Sequence, residues 1–283
     1  SDRRRLRSLA GSLAPRRADA PRTATLNVES PEYLTSTALT LTRTGMGFHA
    51  KSVLRKPEVM QQLESIAPRY HVTALDHPNL AVITNEHPEE ISLHSWGLIP
   101  SWVKNPNEAV KLSNQTFNAN GETIFDKPAF KEPARNKRCL ILLDGFYIHH
   151  YIDKVAFPYH VQLQSEQPFS VAGLWDEWVD RDSGQVKRTA TIVTTAANEL
   201  LTKISNDPKA ESGPRMPVIL TRDTEKDWLM PMEKKADREF LLSLCKPYPS
   251  SELMAYTVAR LKGKQAVGNT AKAIEKISYQ ELN

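Results

Sequence analysis

The apolar residues in the middle of this chain come in short runs, and that spacing restricts the possible folds more than any other feature. Between residues 79 and 195 each run is six to eight residues long and is bounded by polar or turn-forming residues. Runs of this length are typical of β-strands. They predict strands at 79–85, 90–96, 138–143, 145–150, 158–164, 169–174 and 188–195.

Helical patterns flank these strands. Pro57 suits the first turn of a helix, and the apolar residues at 59, 60, 63 and 66 fall on one helical face. Further helices are predicted near 105–113, 196–203, 223–230 and 234–246, with weaker strands at 34–43 and 253–258. Short strands mixed with helices imply an α+β fold with a β-rich, mostly antiparallel core and peripheral helices.

Length and composition exclude several classes of protein. The 283 residues allow one large domain or two small ones. No apolar run reaches the roughly 18 residues needed to cross a bilayer, so no membrane partner is expected. Cys139 and Cys245 fit no disulfide or metal framework, so we expect no metal, no cofactor and a cytoplasmic location. Cys139 lies in an apolar run and is predicted to be an inert core residue.

The positive charge of the chain is concentrated near its beginning. Residues 1–46 hold eight arginines, no lysine and four acidic residues, so their charge of +4 equals that of the whole chain. We expect residues 1–45 to be a basic, disordered extension and residues 46–283 to form the folded domain. Such an extension could bind RNA or a protein partner, or could serve as an organelle transit segment, so import into an organelle remains an alternative to the cytoplasm.

Several short sequence blocks stand in a fixed order along the chain. They are Trp96-Gly97-Leu98-Ile99-Pro100, Asn118-Ala119-Asn120, Asp144-Gly145-Phe146-Tyr147, Thr194-Thr195-Ala196 and Arg215-Met216-Pro217. Together they closely resemble the SRAP family, the SOS-response-associated peptidases, over roughly residues 46–262. The resemblance implies a single SRAP-like domain of the α+β class predicted above.

Members of that family bind single-stranded DNA and bond covalently to abasic sites. The resemblance implies an N-terminal cysteine, whose amine forms a Schiff base with the sugar aldehyde and whose thiol closes a thiazolidine ring. It also implies a glutamate after the Asp-Gly-Phe-Tyr block and a histidine before Arg-Met-Pro, both assisting proton transfers. An Asn-x-Arg block positions the sugar-phosphate.

The residues at those catalytic positions differ in this chain. Gly47 stands at the cysteine position, Ile148 at the glutamate and Ser205 at the histidine. Gly47 has no thiol and is internal to the sequence, Ile148 cannot transfer a proton, and a serine without a partner is a poor base. We therefore expect the crosslinking reaction to be lost. Cleavage after Met46 would be the exception, because the freed amine of Gly47 could form a reversible Schiff base.

The family resemblance also implies six residues that bind the nucleic acid. Trp96 is expected to offer an aromatic face to splayed bases, whereas Trp102 is expected to anchor the core. Asn118 is retained from the Asn-x-Arg block, but Asn120 replaces its arginine. Arg215 could contact phosphate or pair with a carboxylate inside the fold. The remaining candidates, Thr194 and Thr195, end a strand and could instead cap a helix starting near residue 196.

Three functions follow from these observations. The first is an SRAP-fold protein without catalysis, which keeps affinity for single-stranded DNA with abasic sites or for a partner. The second is an active abasic-site crosslinking enzyme of the DNA damage response. The third is a non-enzymatic subunit of a larger assembly, held there by its arginine-rich arm.

Overall fold

The computed structural model describes residues 38–41, 57–207 and 213–282. In that part of the chain the strands are β1 (Ala38–Leu41), β2 (Arg69–Thr73), β3 (Asn79–Thr84), β4 (Ser92–Trp96), β5 (Asn118–Asn120), β6 (Arg138–Leu143), β7 (Gly145–Ile152), β8 (Val155–Leu163), β9 (Phe169–Val179), β10 (Val186–Ala196), β11 (Arg215–Pro217), β12 (Ile219–Leu220) and β13 (Leu253–Thr257). The helices are α1 (Pro57–Ser65), α2 (Pro106–Ser113), α3 (Lys131–Asn136), α4 (Glu199–Ile204), α5 (Thr224–Leu229) and α6 (Lys235–Leu244).

Five strands form a closed ring at the centre of the fold. Going round it, the order is β10, β4, β3, β6 and β9, and β9 pairs again with β10. Only the β10–β4 contact in this ring is parallel, with Thr189 opposite Ser95 and Ala190 opposite Trp96. β5 and β11 also pair with β10, and β12 pairs with β9. Closure removes the unpaired edges that a short open sheet would leave.

A second sheet of five antiparallel strands has the order β13, β8, β7, β1, β2. The strand predicted within residues 34–43 is confirmed over residues 38–41, where it pairs with both β2 and β7. Gly47 lies outside the described residues. The division into an extension of residues 1–45 and a domain of residues 46–283 stays a prediction.

The α+β class and the mostly antiparallel core are confirmed. The helices predicted around 105–113, 223–230 and 234–246 are present as α2, α5 and α6. α2 begins as the sequence suggests, because Asn105 caps its first amides and Pro106 fills the first turn. The short elements β2, β5, α3, β11 and β12 were not predicted. No helix in the described ranges is long and apolar enough to span a membrane.

Strand β6 is buried along its whole length and divides the core into two clusters. On one side Cys139 and Ile141 pack with Trp96. On the other side Leu140 and Leu142 pack with residues of α5 and α6. Cys139 is therefore an inert core residue, as predicted, and its burial raises the pKa of the thiol well above its usual value.

Candidate functional site

Three adjacent strands bring several of the predicted binding residues to one place. Strand β10 pairs with β5 on one side, so that Asn118 lies opposite Ile192 and Asn120 opposite Thr194. On its other side β10 pairs with β11, which places Arg215 opposite Ala196. Asn118, Asn120 and Arg215 are all partly exposed. We call β5, the end of β10 and β11 the strand edge.

Arg215 makes the strongest contacts at the strand edge. Its Nη2 donates to Glu122 Oε2 at 2.6 Å and to the carbonyl oxygen of Thr194 at 2.8 Å, and its Nε donates to Thr194 Oγ1 at 3.1 Å. Of the two roles open for Arg215, pairing with a carboxylate is the one observed. The Arg215 side chain is 21% exposed and the Glu122 side chain 49%, so solvent and ligands can reach the pair.

The charge of Glu122 is stabilised by this arrangement. Partial burial would raise the pKa of its carboxyl, but the hydrogen bond and the positive charge of Arg215 outweigh burial and hold the pKa below its usual value. Cys245 lies close by, and burial together with the charge of Glu122 raises the pKa of its thiol to about 12. Glu122 is therefore ionised beside Arg215, and the neighbouring Cys245 is a neutral thiol, not a reactive thiolate.

Thr194 and Thr195 are not placed as expected. Their side chains are buried, with 7% and 2% of their surface exposed, and their hydroxyls donate to carbonyl oxygens of Ala119 and Cys245. They hold the strand edge together and do not face a ligand. The alternative prediction, that they cap the next helix, is also wrong. Asn198 is the cap of α4, and its side chain accepts from the amide of Leu201 at 3.0 Å.

Trp96 and Trp102 differ from the prediction in opposite directions: Trp96 is buried and Trp102 is exposed. Trp96 is 0% exposed and its Nε1 donates to the carbonyl oxygen of Phe117 at 2.8 Å, so no face of its ring is open to a base. The prediction that Trp96 stacks on nucleobases is therefore wrong in this structure. Trp102, which was expected in the core, is 48% exposed. Trp102 is thus the aromatic side chain available for stacking in this region.

No proton-transferring side chain is present at the two described catalytic positions. Ile148 lies on β7 and packs against the apolar cluster around Trp96. Ser205 ends α4, where its amide donates to the carbonyl oxygen of Leu201. His150, also on β7, has its Nδ1 2.8 Å from the carbonyl oxygen of Ile204, the residue before Ser205. The strand contains a second histidine, His149, whose pKa burial lowers to about 4.

Sequence reasoning missed or misjudged two features of this region. The sequence predicted that Trp96 would be exposed and Trp102 buried, and the reverse is observed. The hydrogen bonds that hold the loop around Trp102 were not predicted. A signal for the second feature was available, because Trp175-Asp176-Glu177-Trp178 places two carboxylates between two tryptophans in an otherwise largely apolar strand. Among the described residues no group of three or more His, Cys, Asp or Glu side chains could hold a metal ion.

Comparisons with known proteins agree with one another. The family model described as SOS response associated peptidase (SRAP) matches residues 37–265. The abasic site processing protein YoqW of Bacillus subtilis (strain 168) is 37% identical over 195 residues, which cover 69% of this chain and 80% of that protein. The abasic site processing protein HMCES of Xenopus tropicalis is 28% identical over 153 residues, which cover 47% of this chain and 43% of that protein.

The fold is also similar to a solved structure. The crystal structure of a protein from Bacteroides thetaiotaomicron superposes on this chain with a TM-score of 0.68 and 32% sequence identity. The superposition covers 78% of this chain and 91% of that one. This chain and that protein thus share a fold over most of their lengths.

Proposed function

This chain belongs to the SOS response associated peptidase family, and from that premise we propose that it binds single-stranded DNA at abasic sites without bonding covalently to it. Its relatives are named abasic site processing proteins, which supports DNA containing abasic sites as the ligand.

The proposed loss of the covalent reaction rests on the residues at the glutamate and histidine positions, Ile148 and Ser205. Schiff-base formation is accelerated by a group that removes a proton from the attacking amine and by a group that returns one to the departing oxygen. Ile148 has no ionisable group, and its partly buried side chain packs against the apolar core. Ser205 is partly exposed and has a hydroxyl in place of an imidazole. Gly47 adds to the argument from sequence alone, since glycine cannot supply a thiol.

Two features support retained DNA binding. Trp102 offers an exposed aromatic face, and base stacking on such a face is worth about 1–3 kcal/mol per base. The strand edge offers the amides of Asn118 and Asn120, which can donate to phosphate and sugar oxygens. The arginine of the Asn-x-Arg block is replaced by Asn120, so we expect weaker phosphate binding than that arginine would give.

The test combines binding and trapping on the full chain. A labelled single-stranded oligonucleotide, with or without one abasic site, is titrated at several salt concentrations and followed by anisotropy. The same mixtures, with and without borohydride, are then run on a denaturing gel. We expect salt-dependent binding and no adduct. A polylysine peptide, whose amines form trappable Schiff bases, shows that the abasic aldehyde is reactive.

Each contrary result has its own meaning. A stable adduct without borohydride would show that this chain is an active crosslinking enzyme. An adduct seen only with borohydride would show that an amine of this chain still attacks the aldehyde. Absence of binding to either oligonucleotide at low salt would overturn the proposal and would favour the third hypothesis, a subunit of a larger assembly.

A further inference from the structure

In the loop that carries Trp102, every second residue from 99 to 103 forms a backbone hydrogen bond with a side chain of β9 or β10. The Ile99 amide donates to Thr189 Oγ1 at 2.9 Å, the Ser101 amide donates to Asp176 Oδ2 at 2.8 Å, and the Val103 carbonyl oxygen accepts from Trp178 Nε1 at 2.8 Å. Ile99 and Val103 are buried, whereas Trp102, between two fastened positions, is exposed. Backbone anchoring on both sides therefore fixes the direction in which the indole leaves the loop.

Asp176 makes one of the two anchors that lie next to Trp102 in the sequence, the one at Ser101. The carboxylate is buried, with 4% of its side chain exposed, and its two oxygens have different partners. Oδ2 accepts from the Ser101 amide, and Oδ1 accepts from Lys137 Nζ at 2.8 Å and from the Glu177 amide at 2.8 Å. The carboxylate is thus held on both sides and cannot rotate without breaking a charge-assisted hydrogen bond.

The cation that pairs with Asp176 is itself held in place. The ammonium of Lys137 lies 5.0 Å from the ring centroid of Trp175, as a cation–π contact requires. A buried ion pair contributes little to stability compared with apolar residues of the same volume. A role in fixing geometry is therefore a better reason for placing a carboxylate at this point of a buried strand.

We infer that Asp176 is a positioning residue for DNA binding, which acts by holding the Ser101 backbone so that Trp102 is presented to the bases. This inference rests on the proposed function, because it needs Trp102 to contact DNA. An aromatic side chain on a fixed loop loses less conformational freedom on binding than one on a mobile loop. Removing the anchor should therefore weaken DNA binding although Asp176 does not touch DNA.

A double-mutant cycle tests the inference on the full chain. The dissociation constant for a single-stranded oligonucleotide is measured for the wild type, Trp102→Ala, Asp176→Ala and the double variant. We expect Trp102→Ala to weaken binding about 10-fold, since it removes one stacked base. We expect Asp176→Ala to weaken binding about 5-fold and to have no further effect once Trp102 is absent, because non-additivity identifies residues that act through one another.

The matched control is Glu177→Ala. Glu177 is the next residue of β9, and its carboxylate pairs with the exposed Arg188. This variant should leave the dissociation constant unchanged. An equal effect of Glu177→Ala, or an Asp176→Ala effect that adds fully to that of Trp102→Ala, would overturn the inference.

Two further variants keep the test decisive if Asp176→Ala does not fold. Asp176→Asn keeps an oxygen that can accept from the Ser101 amide but loses the charge that pairs with Lys137, so it should weaken DNA binding by less than about 5-fold, and only when Trp102 is present. Thr189→Val removes the anchor at Ile99 and should also weaken binding only when Trp102 is present. Unchanged binding in Thr189→Val and Asp176→Asn together would refute the inference.

The inference and the proposed function can fail separately. If the wild type binds DNA and Trp102→Ala binds equally well, the inference is wrong and the proposed function stands. If the wild type does not bind single-stranded DNA, both are wrong.

Discussion

The guanidinium of Arg215 lies 2.6 Å from the carboxylate of Glu122, at the edge where Asn120 stands in place of an arginine. The pair joins β11 to the turn after β5, two segments more than ninety residues apart (215 − 122 = 93). Because Glu122 neutralises Arg215, the strand edge contains a cation that is only partly available to phosphate.

Removing the negative charge of Glu122 should therefore strengthen DNA binding. In Glu122→Gln the guanidinium of Arg215 is free to pair with a phosphate, which adds about one phosphate contact. We expect the affinity for single-stranded DNA to rise several-fold at low salt. The slope of log K against log salt should steepen by about 0.7, the value for one contact on a single strand.

The matched control for this prediction is Glu132→Gln. Glu132 is an exposed residue of α3 that pairs with Arg135. The Glu132→Gln substitution therefore removes the same charge from a similar ion pair elsewhere in the fold. It should change neither the affinity nor the salt slope. Equal steepening in both variants would mean that net charge, and not Arg215, controls binding.

The two tryptophans should respond to mutation in opposite ways. Trp96→Phe removes a buried hydrogen bond to Phe117 and leaves a cavity, so we expect the free energy of unfolding to fall by about 2–4 kcal/mol. Trp102→Ala removes an exposed ring, so we expect a change within about 0.5 kcal/mol. Urea unfolding followed by circular dichroism measures both. A large loss of stability in Trp102→Ala would show that the ring belongs to the core.

Arg138 should be among the most sensitive positions of the fold. Its buried guanidinium donates to the carbonyl oxygens of Ala134, Arg135, Trp228 and Met230, and thereby joins the end of α3 to the end of α5. Burial lowers its pKa to about 10, so it stays charged at neutral pH. Arg138→Met leaves these oxygens without donors, and we expect a loss of about 3–5 kcal/mol.

Arg138→Lys should not restore the stability lost in Arg138→Met. A single ammonium group cannot donate at once to all the carbonyl oxygens that the planar guanidinium contacts. Chemical denaturation of Arg138→Met, Arg138→Lys and the control Arg135→Met checks this. Arg135 is the exposed neighbour on α3. Stability of Arg138→Lys close to the wild type would contradict the explanation.

Stability should fall in mildly acidic solution. Burial lowers the pKa of His94, His149 and His160 from 6.5 to about 4 in the folded protein. The unfolded chain takes up these protons near pH 6.5, so it binds more protons than the folded state below that pH. The stabilisation is complete above pH 6.5 and is lost as the pH falls towards about 4, at up to about 1.4 kcal/mol per pH unit for each histidine.

Urea midpoints at pH 7.5, 6 and 5 measure this dependence. His160→Gln should reduce the slope between pH 6.5 and 4, because it removes one buried imidazole. His87→Gln is the control, since His87 is exposed. A pH dependence that is the same in His160→Gln and in the wild type would argue against the role of burial.

The sequence predicted β3 and β6 of the ring well because most of their residues are apolar. Both strands are buried for most of their length, so their bounds can be read from apolar runs, whereas β9 continues to Val179, beyond the predicted 169–174. β5, β11 and β12 are two or three residues long, and pairing with β9 or β10 forms them. Such segments have no periodicity of their own to recognise.

The placement of the tryptophans could not be read from the sequence. Gly97 follows Trp96 and adopts φ of +110°, and a Cβ atom there would lie 2.5 Å from the carbonyl oxygen of Ser113. This glycine redirects the chain out of β4, which leaves Trp96 inside and takes Trp102 outside. Which of two tryptophans lies inside depends on that turn and on anchors from β9 and β10, which are remote in sequence.

Closure of the ring has a consequence for how the chain folds. The parallel contact between β4 and β10 joins Ser95 to Thr189, residues 94 positions apart (189 − 95), and contacts of such separation form slowly because a long loop must close first. β10 also carries Thr189, which anchors the Trp102 loop, and Thr194, which holds Arg215. The Trp102 loop and the strand edge therefore both depend on the pairing of β10, and a chain in which β10 is not yet in the ring lacks the Thr189 anchor and the Thr194 contact to Arg215.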